Sequence, residues 1–198
     1  MWKVVRDPAR IAIFAACYLT ILAGAAAASA VLLPGATISV PPTTAAAEPD
    51  LAGVVIHDAL IPFTIRAANG ALVCEGVLQD RVVQSNQTHA LHFYYRIRGT
   101  RGPGVISEVV TTGFGKISLR VAHRTDGLGT VPPRVANRNA SPGAVVTFRF
   151  TDPRLLCVRN EESRFILVKT PVTKYRTGGA TKIVASNGAG TSVPTVMP

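Results

Sequence analysis

Much of what usually gives a protein's chemistry away is missing from this sequence. It holds no GxSxG, no HExxH and no phosphate-cradling glycine loop, so the serine-hydrolase elbow, the helical zinc peptidases and P-loop phosphoryl transfer have no footing. Ser141, in "RNASPG", has no neighbour to act as its base. Cysteine is scarce at three residues, none in a CxxC and none with a histidine or carboxylate at metal-site spacing. Basic residues never run four together, and neither a basic helix nor an aromatic RNA-binding signature occurs. Nucleic acid is therefore not an expected partner, no cofactor or metal is expected, and no catalytic residue is assigned. No amphipathic helical window exceeds two turns, which leaves an all-β fold.

What is present begins with a leader. "MWKVVRDPAR" is basic, "IAIFAACYLTILAGAAAA" is a long uncharged run, and "ASA" at 28–30 offers small residues where a signal peptidase reads. The pattern predicts a signal peptide over 1–30, cut after Ala30, with Val31 as the first mature residue. The uncharged stretch 11–33 is also long enough, at 23 residues, to anchor the chain in a bilayer if retained. Membrane association is expected only in that case. Cys17 leaves with the leader, and Cys74 and Cys157 remain as an even pair, expected to form a disulfide in an oxidising compartment.

Net charge is +10; removing Lys3, Arg6, Arg10 and Asp7 leaves 18 basic against 10 acidic residues, so the mature chain is still about +8. Such an excess suits an anionic surface polymer or an acidic membrane surface. Residues 31–50, rich in Pro, Thr and Ala, read as a semi-extended linker. From 51 to 186, short apolar or alternating runs recur between turn residues, the texture of a single antiparallel β-sandwich, immunoglobulin-like or jelly-roll-like. "GVVIHD", "PFTIRA", the long run 71–84, "ALHFYYRIRG", "GVISEVVTTG", "KISLRVAH", "AVVTFRF", "SRFILVKT" and "TKIVAS" are the expected strands. Asn69-Gly70 predicts a tight hairpin whose two central residues both take positive φ. Gly76 marks a bulge or bend within a run too long for one straight strand. "SRFILVKT", apolar on both faces, should lie centrally, and residues 187–198 should form a loose tail.

The densest candidate surface is "ALHFYYRIRG" (90–99). Period two places Leu91, Phe93, Tyr95 and Ile97 on a buried face, and His92, Tyr94, Arg96 and Arg98 on a wet one. These four are the candidate ligand-binding residues: a tyrosine ring stacks on sugars, and guanidinium forks hold anions. Histidines 57, 89, 92 and 123 have no spacing that unites them as metal ligands. Asp126 and Asp152 sit in turn-marked loops with one acid each, too few for calcium. Asn86 and Asn139 fit glycosylation sequons, the second weakened by Pro142.

The succession "HFYYRIRG", "ISEVVTTGFG", "VAHRTDGLG", "GAVVTFRF" and "SRFILVKTPVTKYRTGG" resembles a loosely defined set of secreted bacterial β-sandwich proteins, many of them carrying a PEP-CTERM sorting signal. The resemblance covers roughly 61–180 and implies a cell-surface or matrix role. The ending "VPTVMP" departs from that set, with no PEP motif, closing apolar helix or basic end, so sorting does not carry over. The expectation is an exported, non-catalytic binding or structural module that binds a glycan or anionic polymer. The alternative is a secreted enzyme acting on glycan or lipid through a loop-built site.

Overall fold

Two long β-branched runs seed the fold, and each becomes one strand of fourteen residues. In a computed structural model, residues 28–152, 154–159 and 161–198 are described; the expected leader through residue 27, with Cys17, lies outside them. The strands, in chain order, are β1 (Ala30–Val31), β2 (Thr37–Ser39), β3 (Pro42–Thr43), β4 (Gly53–Arg66), β5 (Leu72–Ser85), β6 (Leu91–Arg101) and β7 (Val105–Thr112). They continue as β8 (Arg120–Arg124), β9 (Val135–Arg138), β10 (Val145–Arg149), β11 (Leu155–Leu156), β12 (Ile166–Lys169), β13 (Arg176–Ala185) and β14 (Gly190–Met197). A single 3-10 turn, Pro49–Leu51, is the one helical element among the described residues.

The strands form two seven-stranded sheets packed face to face, a single β-sandwich domain. Sheet A runs β1-β8-β12-β6-β5-β4, with β3 alongside β8; sheet B runs β14-β13-β7-β10-β9-β2, with β11 alongside β7. Every ladder is antiparallel except the two-residue pairing of β3 with β8. β12, whose Ile166, Leu167 and Val168 are fully buried, lies inside sheet A as its two-faced apolarity required. Inner-face side chains interdigitate between the sheets, among them Leu78, Val82, Phe93, Ile97, Phe148 and Ile183. Cys74 and Cys157, both fully buried, are joined in a disulfide that ties β5 to the segment after β11. With its ends 83 positions apart in the sequence, loop-closure entropy puts its stabilising effect at roughly 4 to 5 kcal/mol.

Three expectations change. "GVVIHD" and "PFTIRA" are one strand, because β4 lies at a sheet edge where Pro62 leaves no interior ladder bond unmade. The expected linker over 31–50 is part of the sandwich: β1 and β3 join sheet A, β2 joins sheet B, and Leu32 and Val40 are buried. The expected tail over 187–198 contains β14, paired along β13, with Val193 and Val196 in the core. A buried guanidinium secures the N-terminal part. Arg138, 2% exposed, donates to the carbonyls of Leu32 (3.0 Å), Gly143 (2.8 Å), Gly115 (2.7 Å) and Ile117 (2.8 Å). Four carbonyls stand in for the water a buried cation loses.

Candidate functional site

The alternation along β6 places its residues as expected, yet the outer face is not wet. His92 is 0%, Tyr94 3% and Arg96 3% exposed; only Arg98, with its side chain 39% exposed, reaches solvent. His92 and Tyr94 lie under the segment 41–52, which folds back over sheet A, while Arg96 is covered by Phe165 and Glu162. Leu51 packs against Val83, Tyr94, Ala122, Phe165 and Leu167 as a second, smaller core. The cover is pinned at both ends, since Ala45 N–H donates to Asp126 (2.8 Å) and Asn86 N–H to the Ala52 carbonyl (3.1 Å). Glu48 holds it from beneath. Its carboxylate accepts Thr43 Oγ1 (2.8 Å), Ser29 Oγ (2.7 Å), the Ser29 amide and Lys169 Nζ (2.8 Å). Burial pushes the Glu48 pKa up, but the Lys169, Ser29 and Thr43 hydrogen bonds outweigh it and hold the group at about 2.

Beside this cover a pocket of about 350 Å³ opens on sheet A, lined by Asp50, Thr88, His92, Ser118, Arg120 and Lys169 among others. Lys169 bridges Glu48 and Asp50, at 2.8 and 2.7 Å. Arg120 donates to Ser29 Oγ (3.0 Å) and to the Ser29 carbonyl. His92 Nε2 sits 3.2 Å from the Asp50 carbonyl, while Nδ1 has no partner. Burial holds the His92 pKa below its ordinary value. Lys169 thus answers both carboxylates, of which only Asp50 lines the pocket, Arg120 is held by Ser29, and Thr88 and Ser118 bring hydroxyl side chains to a wall without an aromatic platform.

Tyr94 and Arg96 belong to a neighbouring cluster. The rings of Tyr94 and Phe165 meet edge to face at 6.1 Å; Arg81 and Arg96 lie over Phe165 at 5.1 and 5.4 Å, and Arg124 over Tyr94 at 5.9 Å. Each guanidinium also has a carboxylate: Arg81 with Asp58 (2.7 Å), Arg96 with Glu162, and Arg124 with Asp126 (2.6 Å). Arg98 stands 3.8 Å from Glu162. A cavity of about 130 Å³ remains among Arg81, Tyr94, Arg124, Gly127 and Phe165. Since cations occupy the ring faces, this cluster offers a sugar no free stacking surface. The four candidate residues therefore separate, His92 into the large pocket, Tyr94 and Arg96 into the aromatic cluster, and Arg98 to the rim.

One group was missed. Asp80 is fully buried and in register with Tyr95, on the inner face of sheet A. Its Oδ2 accepts the Val196 amide (2.9 Å) and lies 3.6 Å from His57 Nε2; Oδ1 has no partner. Burial pushes the Asp80 carboxyl up, against the lowering effect of the Val196 amide and of His57. A cleft of about 180 Å³ opens there between β4 and β14, lined also by Ala59, Thr177 and Thr195. Period two in "VLQDRVV" already places Asp80 on the face of Leu78 and Val82. A carboxylate at an inward position was the available signal.

Among the described residues no three His, Cys, Asp or Glu side chains converge as metal ligands, and no helix is long and apolar enough to cross a membrane. Asp126 serves as the latch of the cover and as the partner of Arg124. Comparison of the chain with protein-family models, with curated proteins and with solved structures gave no match.

Proposed function

We propose that this chain is an exported, non-catalytic binding or structural module of the cell surface or extracellular matrix, and that its ligand is a glycan segment of an anionic surface polymer. The observation that carries the reading is the pocket of about 350 Å³ beside the folded-back cover. Its hydroxyl side chains, beside a lysine already engaged by Glu48 and Asp50 and an arginine already engaged by Ser29, suit a polyol, which both donates and accepts, better than a lone anion. The protein's overall positive charge supplies the attraction to an anionic polymer, acting at long range and weakened by salt. A disulfide fits an oxidising compartment and so supports export. The structural side of the proposal draws on β4, an edge strand exposing Val54, Val55, Ile56 and Leu60, since an open strand edge is a template for pairing.

The test is a binding screen of the exported protein against neutral and anionic polysaccharides at low and high salt. Retention of an anionic glycan that Ser118→Trp abolishes, with the melting temperature unchanged, is the expected result; Ser118 is exposed and lines the pocket without an ion pair. Retention indifferent to Ser118→Trp overturns the site. A second reading, a secreted enzyme acting on glycan or lipid, is favoured by the Asp80 carboxyl and His57 imidazole in their cleft. Hydrolysis lost in Asp80→Asn with folding retained would select it.

A further inference from the structure

The chain's N-terminal edge is held by contacts that a cut after Ala30 would destroy. Ser29 is 1% exposed. Its amide nitrogen donates to Glu48 Oε1 and its hydroxyl to Oε2 (2.7 Å), while Arg120 binds its hydroxyl and its carbonyl. Ala30 and Val31 then pair with Val121 and Arg120, and the Leu32 amide donates to the Leu119 carbonyl (2.9 Å). Starting the chain at Val31 would remove two of the four groups that neutralise or hydrogen-bond Glu48 beneath the cover, and both acceptors of Arg120. A buried carboxylate stripped of donors is costly. Ala28, by contrast, is exposed and forms no strand.

We propose that export processing cuts between Ala28 and Ser29, and that the α-ammonium so released docks on Glu48 as a structural ion pair. Small residues occupy the two positions a signal peptidase reads before that bond, Ala26 and Ala28. Water adds across the Ala28–Ser29 peptide, leaving a carboxylate on Ala28 and an ammonium on Ser29. The new ammonium occupies the position of the amide that already donates to Oε1, so the fold has a receptor ready for it. Capture of an N-terminal amine needs a fixed acceptor of opposite charge. Glu48 is that acceptor, 8% exposed and oriented by Thr43 and Lys169. The N-terminus generated by processing becomes the closing part of sheet A and of its cover. A cut after Ala26 would leave two residues between the ammonium and Glu48 and forgo the pair.

This inference rests on the export reading above, and the experiment separates the two. Mass spectrometry of the protein recovered outside the cytoplasm reads the first residue. Ser29 is the expected result; Val31 or Ala27 overturns the inference while leaving export standing, and a membrane-retained chain with Met1 overturns both. Docking is read on the same sample with sparing periodate, which on a protein chain oxidises a serine whose α-amine is free beside its hydroxyl. The native protein should react at least about tenfold more slowly than the protein in denaturant, because both groups must leave Glu48 first. Equal rates overturn the docking, and no reaction in either state overturns the cut.

Discussion

Successive side chains along β6 are buried by opposite means. Phe93, Tyr95 and Ile97 face the core, with Phe93 set edge to face against Phe114 at 5.9 Å. His92, Tyr94 and Arg96 are as deeply covered, but by guanidiniums, carboxylates and a strip of backbone returning from 41–52. The inner face is closed by transfer of hydrocarbon out of water, and the outer face by pairing each charge under a lid. Alternation therefore identifies which residues share a face. It does not decide whether that face meets water, since a polar face is also covered when most of its donors and acceptors are answered, here with His92 Nδ1 and Arg96 Nε as exceptions.

The contrast can be broken first on the inner side. Phe93→Ala should cost roughly 3 to 5 kcal/mol, read as a shift in the denaturant midpoint, and a loss below 1 kcal/mol would remove Phe93 from the core. Acid comes next. His123 is in register with Ile166 and, across it, Tyr95; burial and then the charge of Arg164 bring its pKa down to about 4. The unfolded chain takes up that proton near pH 6.5 and the folded chain only near 4. Stability is thus full above 6.5 and falls as pH drops through the interval, by at most about 3 kcal/mol from this group. Melts between pH 7 and 4 on the wild type and on His123→Asn measure it, and equal slopes would sink the assignment. Buried His92 adds in the same direction, whereas Glu48, held at about 2, contributes stability that is lost only below pH 4.5.

The outer face should respond less. Tyr94→Ala loses a ring and the acceptor of Arg124 Nη1 (3.2 Å), for about 2 kcal/mol in chemical denaturation. A cost near zero would restore the wet face. Arg98→Ala, at the rim, should stay within about 0.5 kcal/mol. A larger cost would mean that its contact with Glu162 stiffens the whole cluster.

The sandwich was legible because β-branched and aromatic runs recur between turn residues over most of the chain. Part of it was legible and missed. Ala67-Ala68-Asn69-Gly70-Ala71 and Ala185-Ser186-Asn187-Gly188-Ala189 form the same loop: in each the glycine alone takes positive φ, +82° and +83°, and the asparagine side chain accepts the following alanine amide at 3.1 Å. These are three-residue loops closed by a glycine bulge, not the two-residue turn expected at Asn69-Gly70. The second copy foretold β14 as plainly as the first foretold β5. β1, β2 and β3 were less legible, because strands of two or three residues are too short to express a period. At the site, parity along β6 was readable, whereas the cover that Leu51 and Glu48 hold in place depends on contacts with β12 and with Ser29 that no local period in the sequence expresses.

Arg138 gathers carbonyls from Leu32, 106 positions before it, and from Gly143, only 5 after it. A ribosome delivers these in sequence. Residues 29–43 come early in the chain, yet β1 and β3 find their strand partner only in β8, and β2 only in β9, so the sandwich closes from its later strands back to its earlier ones. A local hairpin such as β4–β5 closes a short loop, whereas the return of the N-terminal strands closes spans of 91 and 100 positions, at a higher loop-closure entropy. An interrupted chain that ends before Arg138 keeps its sheets open at both ends of that span. In effect the buried arginine reports that synthesis has passed the middle of the domain.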